Sequence, residues 1–394
     1  MAVSQHICEM MDQSSWVRRM FEAGAVLKKE FGEEAVFDFS LGNPDLEPPE
    51  SFSNVLRSFA EKPFSGMHGY MSNAGFDETR DAVASFLSLE QGVSITGSHI
   101  IMTCGAGGAL NIALKTLMNP GDRVLAQAPC FMEYKFYTEN HSGRFEMIPP
   151  NEDLDLDIDA LERAIDRRTA AIIINSPNNP TGRVYSEKTI RELSSMLERK
   201  EREIGRAVYL ICDEPYRKIA FDGVTVPSVL RLYRNTLVAT SYSKDLSIPG
   251  ERIGWLAVHP EADDSENIVN GAVLCNRILG YVNAPALMQR VVGKIPGAAV
   301  DVSRYQSRRD MMMEGLSAIG YEFQKPSGTF YLFPKVPGGD DLAFVDALKD
   351  ERILTVPGRG FGAPGYFRIA FCVPERTITD SMKGFNRVFR KFMG

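Results

Sequence analysis

Two apolar runs of the sequence end in side chains that could do covalent and acid–base chemistry. The run "NTLVAT" leads into "SYSKDLSIPGERIGW", in which Lys244 precedes Arg252 by eight residues. The run "VYLIC" ends in Asp213, with Tyr216 three residues later. A lysine fixed at a strand end, partly buried and near positive charge, has a lowered pKa and can act as nucleophile and base. A carboxylate that ends a buried strand is unfavourable unless a cation or a hydrogen-bond donor meets it.

Two further polar segments also follow apolar runs. The segment "CGAGGA" (Cys104–Ala109) opens a helical pattern, and free backbone N–H groups at such a helix start favour a phosphate. The segment "INSPNNPTG" ends another run and contains Asn179. Taken singly, the glycines are also typical of a tight turn and the asparagines of turn chemistry. The combination of these groups with a lysine, an acid and a phenol indicates pyridoxal phosphate, which needs each of them.

A regular alternation of strands and helices, beginning near residue 98, positions these segments. Helical patterns such as "SEKTIRELSSMLERKERE", with Ile190, Leu193 and Leu197 on one face, separate the apolar runs. The predicted strands are "SHIIMTC", "DRVLAQAP", "RTAAIIIN", "RAVYLICDE", "NTLVATSYS" and "RIGWLAVHP". Near-continuous apolar strands between helices predict an α/β fold with a mostly parallel, doubly wound sheet. Ligands of such sheets bind beyond the carboxyl ends of the strands, where the candidate residues lie.

The pattern changes near residue 290, which indicates a second, smaller domain. A long charged helical pattern, the runs "GTFYLFPKV" and "YFRIAFCV", and a final amphipathic helix follow. The first fifty residues hold a helix and the segment "FDFSLGNPDLEPP", which is too little for a domain of its own. We therefore predict an N-terminal arm that joins the small domain (1–50), a large cofactor-binding domain (51–288) and a small α+β C-terminal domain (289–394).

Composition and charge limit the classes of function. The chain has 394 residues and a net charge of -7, which disfavours a nucleic-acid surface. No apolar stretch approaches the length of a membrane span, and the N-terminal segment lacks a signal-peptide pattern. The six cysteines form no CxxC pair and the five histidines are dispersed, so we expect free thiols and no metal site. These features favour a cytoplasmic protein with small-molecule ligands and no nucleic-acid or membrane partner.

Five motifs in order resemble one enzyme family over nearly the whole chain. They are "GNPD", "NSPNNPTG", "DEPY", "SYSKDLSIPGERIGW" and "FRIAF". The chain resembles the class I aminotransferases of the fold-type I pyridoxal-phosphate family, and in particular those like aspartate aminotransferase. The resemblance implies that an amino group moves between an L-amino acid and a 2-oxo acid in two half-reactions, a ping-pong scheme.

The resemblance also implies a role for each matching residue. Lys244 is expected to form the internal aldimine with pyridoxal 5'-phosphate and to shuttle the proton, while Asp213 pairs with the pyridine nitrogen. Arg368 is expected to bind the substrate α-carboxylate, helped by the Gly42 backbone and Asn179. The other expected cofactor contacts are Tyr216 and Asn179 at the ring oxygen, Phe131 on the ring face, and the Ala106 and Gly107 amides with Ser241, Ser243 and Arg252 at the phosphate.

Arg368 is also notable from its pattern alone. In "YFRIAFCV" the large apolar residues alternate, so Arg368 shares the other strand face with Ala370 and Cys372. An arginine among small residues indicates a cavity in which it could bind a carboxylate, although a solvated arginine on an edge strand remains an alternative. The segment "CNRILGYVNAP" departs more from the family's pattern, so Arg277 is only a candidate for a second substrate-binding arginine.

The segment "GMHGYMSNAG" bears on the oligomeric state. Tyr70 and the surrounding glycines match the family segment that reaches the neighbouring subunit's phosphate site. The resemblance therefore implies an obligate homodimer with composite active sites. The alternative is that Tyr70 packs within its own chain.

Other functions remain open at the level of sequence. A carbon–sulfur β-lyase of the same fold begins with the same chemistry and is the main alternative. A nicotinamide-dependent dehydrogenase is more remote, because its GxGxxA spelling, "GRGFGA" (358–363), precedes a proline and a strand rather than a helix. A non-enzymatic pyridoxal-phosphate regulator would need an added DNA-binding module, for which few residues precede "FDFSLGNPD".

Overall fold

The computed structural model describes residues 2–12 and 16–394. Its strands are β1 (Phe37–Asp38), β2 (Ile100–Thr103), β3 (Arg123–Gln127), β4 (Arg144–Ile148), β5 (Thr169–Asn175), β6 (Tyr209–Asp213), β7 (Thr236–Ser241), β8 (Gly254–Val258), β9 (Tyr331–Leu332), β10 (Ile353–Leu354), β11 (Val356–Pro357) and β12 (Phe367–Ala370). Each of the six strands predicted from apolar runs is present.

Helices lie before, between and after these strands. They are α1 (Gln5–Asp12), α2 (Trp16–Phe31), α3 (Glu50–Glu61), α4 (Asp77–Gln91), α5 (Gly105–Leu117), α6 (Glu133–Glu139), α7 (Ile158–Ala164), α8 (Glu187–Ile204), α9 (Ser265–Ile278), α10 (Ala286–Lys294), α11 (Val302–Ile319), α12 (Asp341–Asp350) and α13 (Glu375–Met393). The apolar face predicted for α8 is buried, as Ile190, Leu193 and Leu197 are each at most 1% exposed.

The large sheet has seven strands in the order β2-β8-β7-β6-β5-β3-β4. Only β8 runs antiparallel to its neighbours, and the other six strands point the same way. Successive residues of the central strands pack into two separate apolar clusters, with helices on both faces of the sheet. The predicted α/β class, with a mostly parallel doubly wound sheet, is therefore confirmed.

The C-terminal part of the chain, together with β1, forms two smaller sheets. Strands β11, β12 and β9 form an antiparallel sheet with β12 in the centre, and β1 pairs with β10 in parallel register. The backbone N–H of Ala370 donates to the carbonyl of Phe39 at 2.9 Å. The residues after β1 consequently lie beside β12, which places the loop that starts at Ser40 close to Arg368.

Close backbone packing fixes the strand ends that carry the candidate site. Gly254 of β8 pairs with Ser241 of β7 and Thr103 of β2. A Cβ atom at this position would lie 2.3 Å from the Thr240 carbonyl oxygen and 2.9 Å from the Cα atom of Gly105. The proximity of β8 to the start of α5 therefore requires glycine at position 254.

We predict that Gly254→Ala lowers the free energy of unfolding by about 3 kcal/mol, because the added methyl group forces backbone atoms apart. The measurement is urea unfolding of the cofactor-free protein. Gly250→Ala is the matched control, since a Cβ atom there would have no heavy atom within 4 Å. Equal unfolding midpoints for the two variants would contradict this account of the packing.

Candidate active site

Three strand ends bring most of the candidate residues together. Asp213 is the last residue of β6, while Lys244 follows β7 and Asn179 follows β5. These strands are adjacent in the sheet and parallel, so their carboxyl ends meet at one edge. The order of strands alone therefore gathers an acid, an amine and an amide into a small volume.

The Asp213 carboxylate is buried and only half satisfied. Its side chain is 5% exposed, and its Oδ2 atom accepts a 2.7 Å hydrogen bond from the Tyr134 hydroxyl. Its Oδ1 atom is buried and has no hydrogen-bond partner among the described residues. Burial raises the pKa of Asp213 to about 7, the Tyr134 hydrogen bond opposes this rise, and the neighbouring Glu214 carboxylate adds to it. An oxygen in this state favours a cationic donor.

The Lys244 amine lies opposite a backbone carbonyl. Its Nζ atom donates to the carbonyl oxygen of Gly42 at 2.7 Å and lies 5.7 Å from the centre of the Phe330 ring. The pKa of Lys244 is lowered to about 8, chiefly by burial; the neighbouring Cys372 opposes this shift, and the positive charges of Arg368 and Arg252 add to it. Lys244 therefore loses its proton more readily than an exposed lysine, and the uncharged amine is the form that nucleophilic attack requires.

Arg368 is buried without a carboxylate partner. It is 2% exposed, donates to Asn179 Oδ1 at 3.0 Å and to the Ser40 carbonyl oxygen at 2.6 Å, and lies over the Tyr331 ring. Within residues 2–12 and 16–394, no acidic side chain lies within 4.0 Å of its guanidinium, and its Nε atom has no partner. A buried cation held only by neutral acceptors can accommodate a carboxylate ligand. The alternative of a solvated edge-strand arginine is not observed.

The start of α5 lies against the guanidinium of Arg252. Gly105 has a φ of +73°, and a Cβ atom there would lie 3.0 Å from Arg252 Nη2. No side chain caps the helix, so the first backbone N–H groups, including those of Ala106 and Gly107, are available to a ligand. Ser241, the last residue of β7, and Ser243, two residues later, are both buried. This arrangement fits an anion such as a phosphate.

Two aromatic candidates flank these groups. The Tyr216 hydroxyl lies 3.0 Å from the Tyr331 hydroxyl, and burial raises its pKa well above the usual value. The Phe131 ring contacts Tyr134 edge to face, with ring centres 5.7 Å apart. Phe131 thus packs against the same tyrosine that holds Asp213, which places it beside the acid.

Two candidates lie outside this cluster. Tyr70 is 91% exposed, so it does not pack within its own chain. Arg277 is exposed on α9. Neither residue completes the site within a single chain.

Sequence reasoning did not find three groups that the structure places in the site. Tyr134 holds Asp213, Tyr331 contacts both Tyr216 and Arg368, and the Ser40 carbonyl accepts from Arg368. Tyr134 lies three residues after Phe131, one helical turn away, which is the only signal that could have pointed to it. The backbone carbonyl of Ser40 has no signature in the residue type.

The residues present fit pyridoxal phosphate. The unpartnered Asp213 Oδ1 suits a protonated pyridine nitrogen, the start of α5 with Arg252 suits the phosphate, and the Lys244 amine suits the aldehyde. Over the described part of the chain, no cluster of metal-ligating side chains and no helix able to cross a membrane are found. The "GRGFGA" segment forms a short 3₁₀ helix (Gly358–Phe361) rather than a strand-to-helix turn.

The amino-acid sequence matches a family whose chemistry agrees with a pyridoxal-phosphate site. The sequence model described as "Aminotransferase class I and II" matches residues 34–383. The chain belongs to that family.

Curated relatives of the chain carry aminotransferase names. A "Probable aspartate aminotransferase" of Methanocaldococcus jannaschii is 28% identical over 89% of this chain and 93% of its own. An "Aspartate/prephenate aminotransferase" of Thermus thermophilus is 28% identical over 89% and 90%. An "Aromatic-amino-acid aminotransferase 2" of Thermococcus litoralis is 26% identical over 99% of each chain.

Solved structures give the same result. An aminotransferase from Eubacterium rectale has a TM-score of 0.96 and 40% identity over the full length of both chains. Aspartate aminotransferase of Thermotoga maritima has a TM-score of 0.87 and 25% identity over 98% of this chain and 100% of its own. The protein is an aminotransferase that depends on pyridoxal phosphate, so the predicted family, enzyme class and cofactor are confirmed. The dehydrogenase alternative is not supported.

We predict that the cofactor-free protein loses stability through Asp213 as the pH rises. The pKa of Asp213 is about 7 when folded against 3.8 ordinarily, so the folded protein binds the extra proton between these values. Its contribution to the free energy of unfolding therefore falls across this window, by about 4 kcal/mol in total.

The measurement is urea unfolding at pH 4 and pH 8 for wild type and Asp213→Asn. From pH 4 to pH 8 the free energy of unfolding should decrease less in Asp213→Asn than in wild type, by that amount. Asp159→Asn, at an exposed carboxylate, should behave as wild type. Identical pH profiles for wild type and Asp213→Asn would show that the buried carboxylate carries no such cost.

Proposed function

We propose that this aminotransferase transfers an amino group between an L-amino acid and a 2-oxo acid, with Lys244, Asp213 and Arg368 as its central residues. The observation that carries the proposal is the pairing of a buried amine of lowered pKa with an unpartnered buried carboxylate oxygen at adjoining strand ends. Arg368 adds a buried cation without an acidic partner on the other side of the site.

In this proposal the large-sheet edge holds the cofactor. Asp213 Oδ1 would accept a hydrogen bond from the pyridine nitrogen, and Tyr134 holds the carboxylate in place through Oδ2. Tyr216 and Asn179 would donate to the ring oxygen, and Phe131 would lie against the ring. Arg252, Ser241 and Ser243 would hold the phosphate together with the backbone N–H groups of Ala106 and Gly107.

Lys244 has two tasks. Its Nζ atom holds the cofactor covalently and, as a free amine, takes the proton from the substrate α-carbon. When bound, pyridoxal phosphate supplies an electron-withdrawing ring that makes this proton acidic and carries the amino group between the two half-reactions. The lowered pKa of about 8 keeps Lys244 close to the pH at which a general base is most effective. The Gly42 carbonyl orients the amine by accepting its hydrogen bond.

Arg368 binds the α-carboxylate of the substrate. Its guanidinium can form a two-pronged contact with a carboxylate, and Asn179 and the Gly42 backbone complete the site. Tyr331 supports the guanidinium from one face, at 4.4 Å from the ring centre. The relatives' names give aspartate, prephenate and aromatic amino acids, so L-aspartate and L-phenylalanine are the first donors to test.

The site is incomplete in one chain, and we propose a homodimer in which Tyr70 reaches the phosphate site of the partner subunit. The 91% exposure of this tyrosine supports the proposal, because a large aromatic side chain gains little by facing solvent. We also propose the domain division 1–50, 51–288 and 289–394. It is supported by a separate apolar cluster that joins Phe39 to the C-terminal helices and strands.

A cytoplasmic location is the last part of the proposal. All six cysteines are thiols, and Cys130, Cys212, Cys275 and Cys372 are buried. A reducing compartment preserves thiols in this state.

The reaction is tested by following nitrogen. An L-amino acid labelled with ¹⁵N is incubated with the enzyme and an unlabelled 2-oxo acid. The proposal predicts that the label appears in the new amino acid and that a single donor alone gives only one turnover per site. Ammonia and pyruvate from a cysteine conjugate, without need of an oxo acid, would instead show a β-lyase.

We predict that Lys244→Ala retains no cofactor covalently after borohydride reduction and lowers the transamination rate by at least about 10³-fold, since nucleophile and base are both lost. Mass spectrometry of the reduced protein is the measurement. Lys188→Ala, at a lysine whose side chain is 84% exposed, is the control and should retain the reduced cofactor covalently, as wild type does. Stoichiometric labelling of Lys244→Ala would assign the Schiff base to another lysine.

We predict that Arg368→Leu lowers kcat/KM by about 10² to 10⁴-fold while the spectrum of the bound cofactor is unchanged, because the substrate loses a buried charged contact. Arg368→Lys keeps the charge but not the two-pronged geometry, so its kcat/KM should lie between those of wild type and Arg368→Leu. Arg304→Leu, at an exposed arginine, serves as the control. Wild-type kinetics in a folded Arg368→Leu protein would remove this residue from the substrate site.

A further inference from the structure

The loop around Tyr70 is firmly held although its tyrosine is exposed. Side chains of α9, α10 and the turn between them bind its backbone on both sides of Tyr70. Arg290 donates to the Met67 carbonyl at 3.3 Å, Asn283 to the Met71 and Ser72 carbonyls at 3.4 and 2.8 Å, and Asn276 to the Asn73 carbonyl at 2.7 Å. The backbone at Tyr70 is therefore held in one position, and its exposed side chain extends from a fixed point toward a partner.

The turn that supplies Asn283 adopts an unfavourable backbone conformation. Val282 has a φ of +64°, which is rare for a β-branched residue and strained. Its carbonyl accepts from the Asn73 side chain at 2.8 Å, and its N–H donates to the Asn276 carbonyl at 3.0 Å. The loop and the turn therefore hold each other, and the strain is maintained by hydrogen bonds that cross between them.

The same turn contacts the strand that leads to the start of α5. The Asn283 carbonyl accepts from the Cys104 thiol at 3.8 Å, and the Asn276 side chain donates to the Met102 carbonyl at 3.4 Å. The Met102 N–H in turn donates to the Ala74 carbonyl at 2.8 Å. These hydrogen bonds fix the Tyr70 loop relative to β2, the strand that precedes the proposed phosphate-binding helix α5 in the same chain.

We propose that Asn283 is a positioning residue that sets Tyr70 for the partner subunit's phosphate site. Asn283 acts through its hydrogen bonds to the Met71 and Ser72 carbonyls, directly after the tyrosine. The strained turn at Val282 places the Asn283 side chain within reach of these carbonyls. The inference rests on the proposed role of Tyr70 across the dimer, and it assigns a function to a residue of the segment "CNRILGYVNAP", which departs from the family's pattern.

The first test measures the loop itself. Asn283→Ala removes two hydrogen bonds to the loop, so amide hydrogen exchange of residues 67–75 in the holoenzyme should rise by about tenfold or more. Cofactor release should accelerate by a similar factor. Asn283→Asp, which presents an oxygen to the two carbonyls in a side chain of the same shape, should do the same if Asn283→Ala folds poorly. Asn267→Ala is the control, because the exposed Asn267 side chain donates to Asp264 Oδ1 at the start of α9 rather than to the Tyr70 loop.

The second test asks which site is affected. In a mixed dimer of Asn283→Ala and Lys244→Ala chains, the single site with Lys244 receives Tyr70 from the chain with an intact Asn283. Cofactor release from that site should therefore return to the wild-type rate. Release that stays fast in the mixed dimer would overturn the inference, because Asn283 would then act within its own chain.

A third variant separates the inference from the proposal on which it rests. Tyr70→Phe should accelerate cofactor release without changing exchange in the loop. If Tyr70→Phe accelerates release and Asn283→Ala does not, the inference is wrong and the role of Tyr70 stands. If Tyr70→Phe leaves release unchanged, the role of Tyr70 falls and the inference with it.

Discussion

The Asp213 carboxylate is the charge on which the rest of the site depends. It ends a central strand, is nearly excluded from water, and has one oxygen bound to Tyr134 and one left free. An unpaired buried carboxylate is unfavourable, which its pKa of about 7 expresses. The folded protein therefore offers a cation a favourable position beside Asp213 Oδ1, and in the proposed function the protonated ring nitrogen of the cofactor would occupy it.

The sheet and the C-terminal strands supply opposite halves of the chemistry. Parallel strands bring Asp213 and Lys244 to one edge because their carboxyl ends coincide. The residues after β1 then cross to β12 and place the carbonyls of Ser40 and Gly42 against Arg368 and Lys244. Arg368 and Lys244, the proposed substrate-binding and Schiff-base residues, are thus both held by one short loop. A displacement of that loop would change both the carboxylate site and the orientation of the amine.

Residue types with a strong local signature were predictable, and those defined by three-dimensional context were not. Apolar runs found six strands of the large sheet, but not β4, whose Arg144 and Glu146 alternate with apolar residues at the edge of the sheet. Arg368 was found because the small residues Ala370 and Cys372 share its strand face. Tyr134 and Tyr331 were missed, since a tyrosine near apolar residues is most often core and only the packing shows that each meets a charged group.

The protonation state of the bound cofactor tests the central claim most directly. The ¹⁵N chemical shift of pyridoxal phosphate labelled at the ring nitrogen reports whether that atom carries a proton in the holoenzyme. We predict a protonated nitrogen in the wild type across neutral pH and a deprotonated one in Asp213→Asn. A neutral ring nitrogen in the wild-type enzyme would contradict the account, because Asp213 would then be buried without the cation that its environment requires.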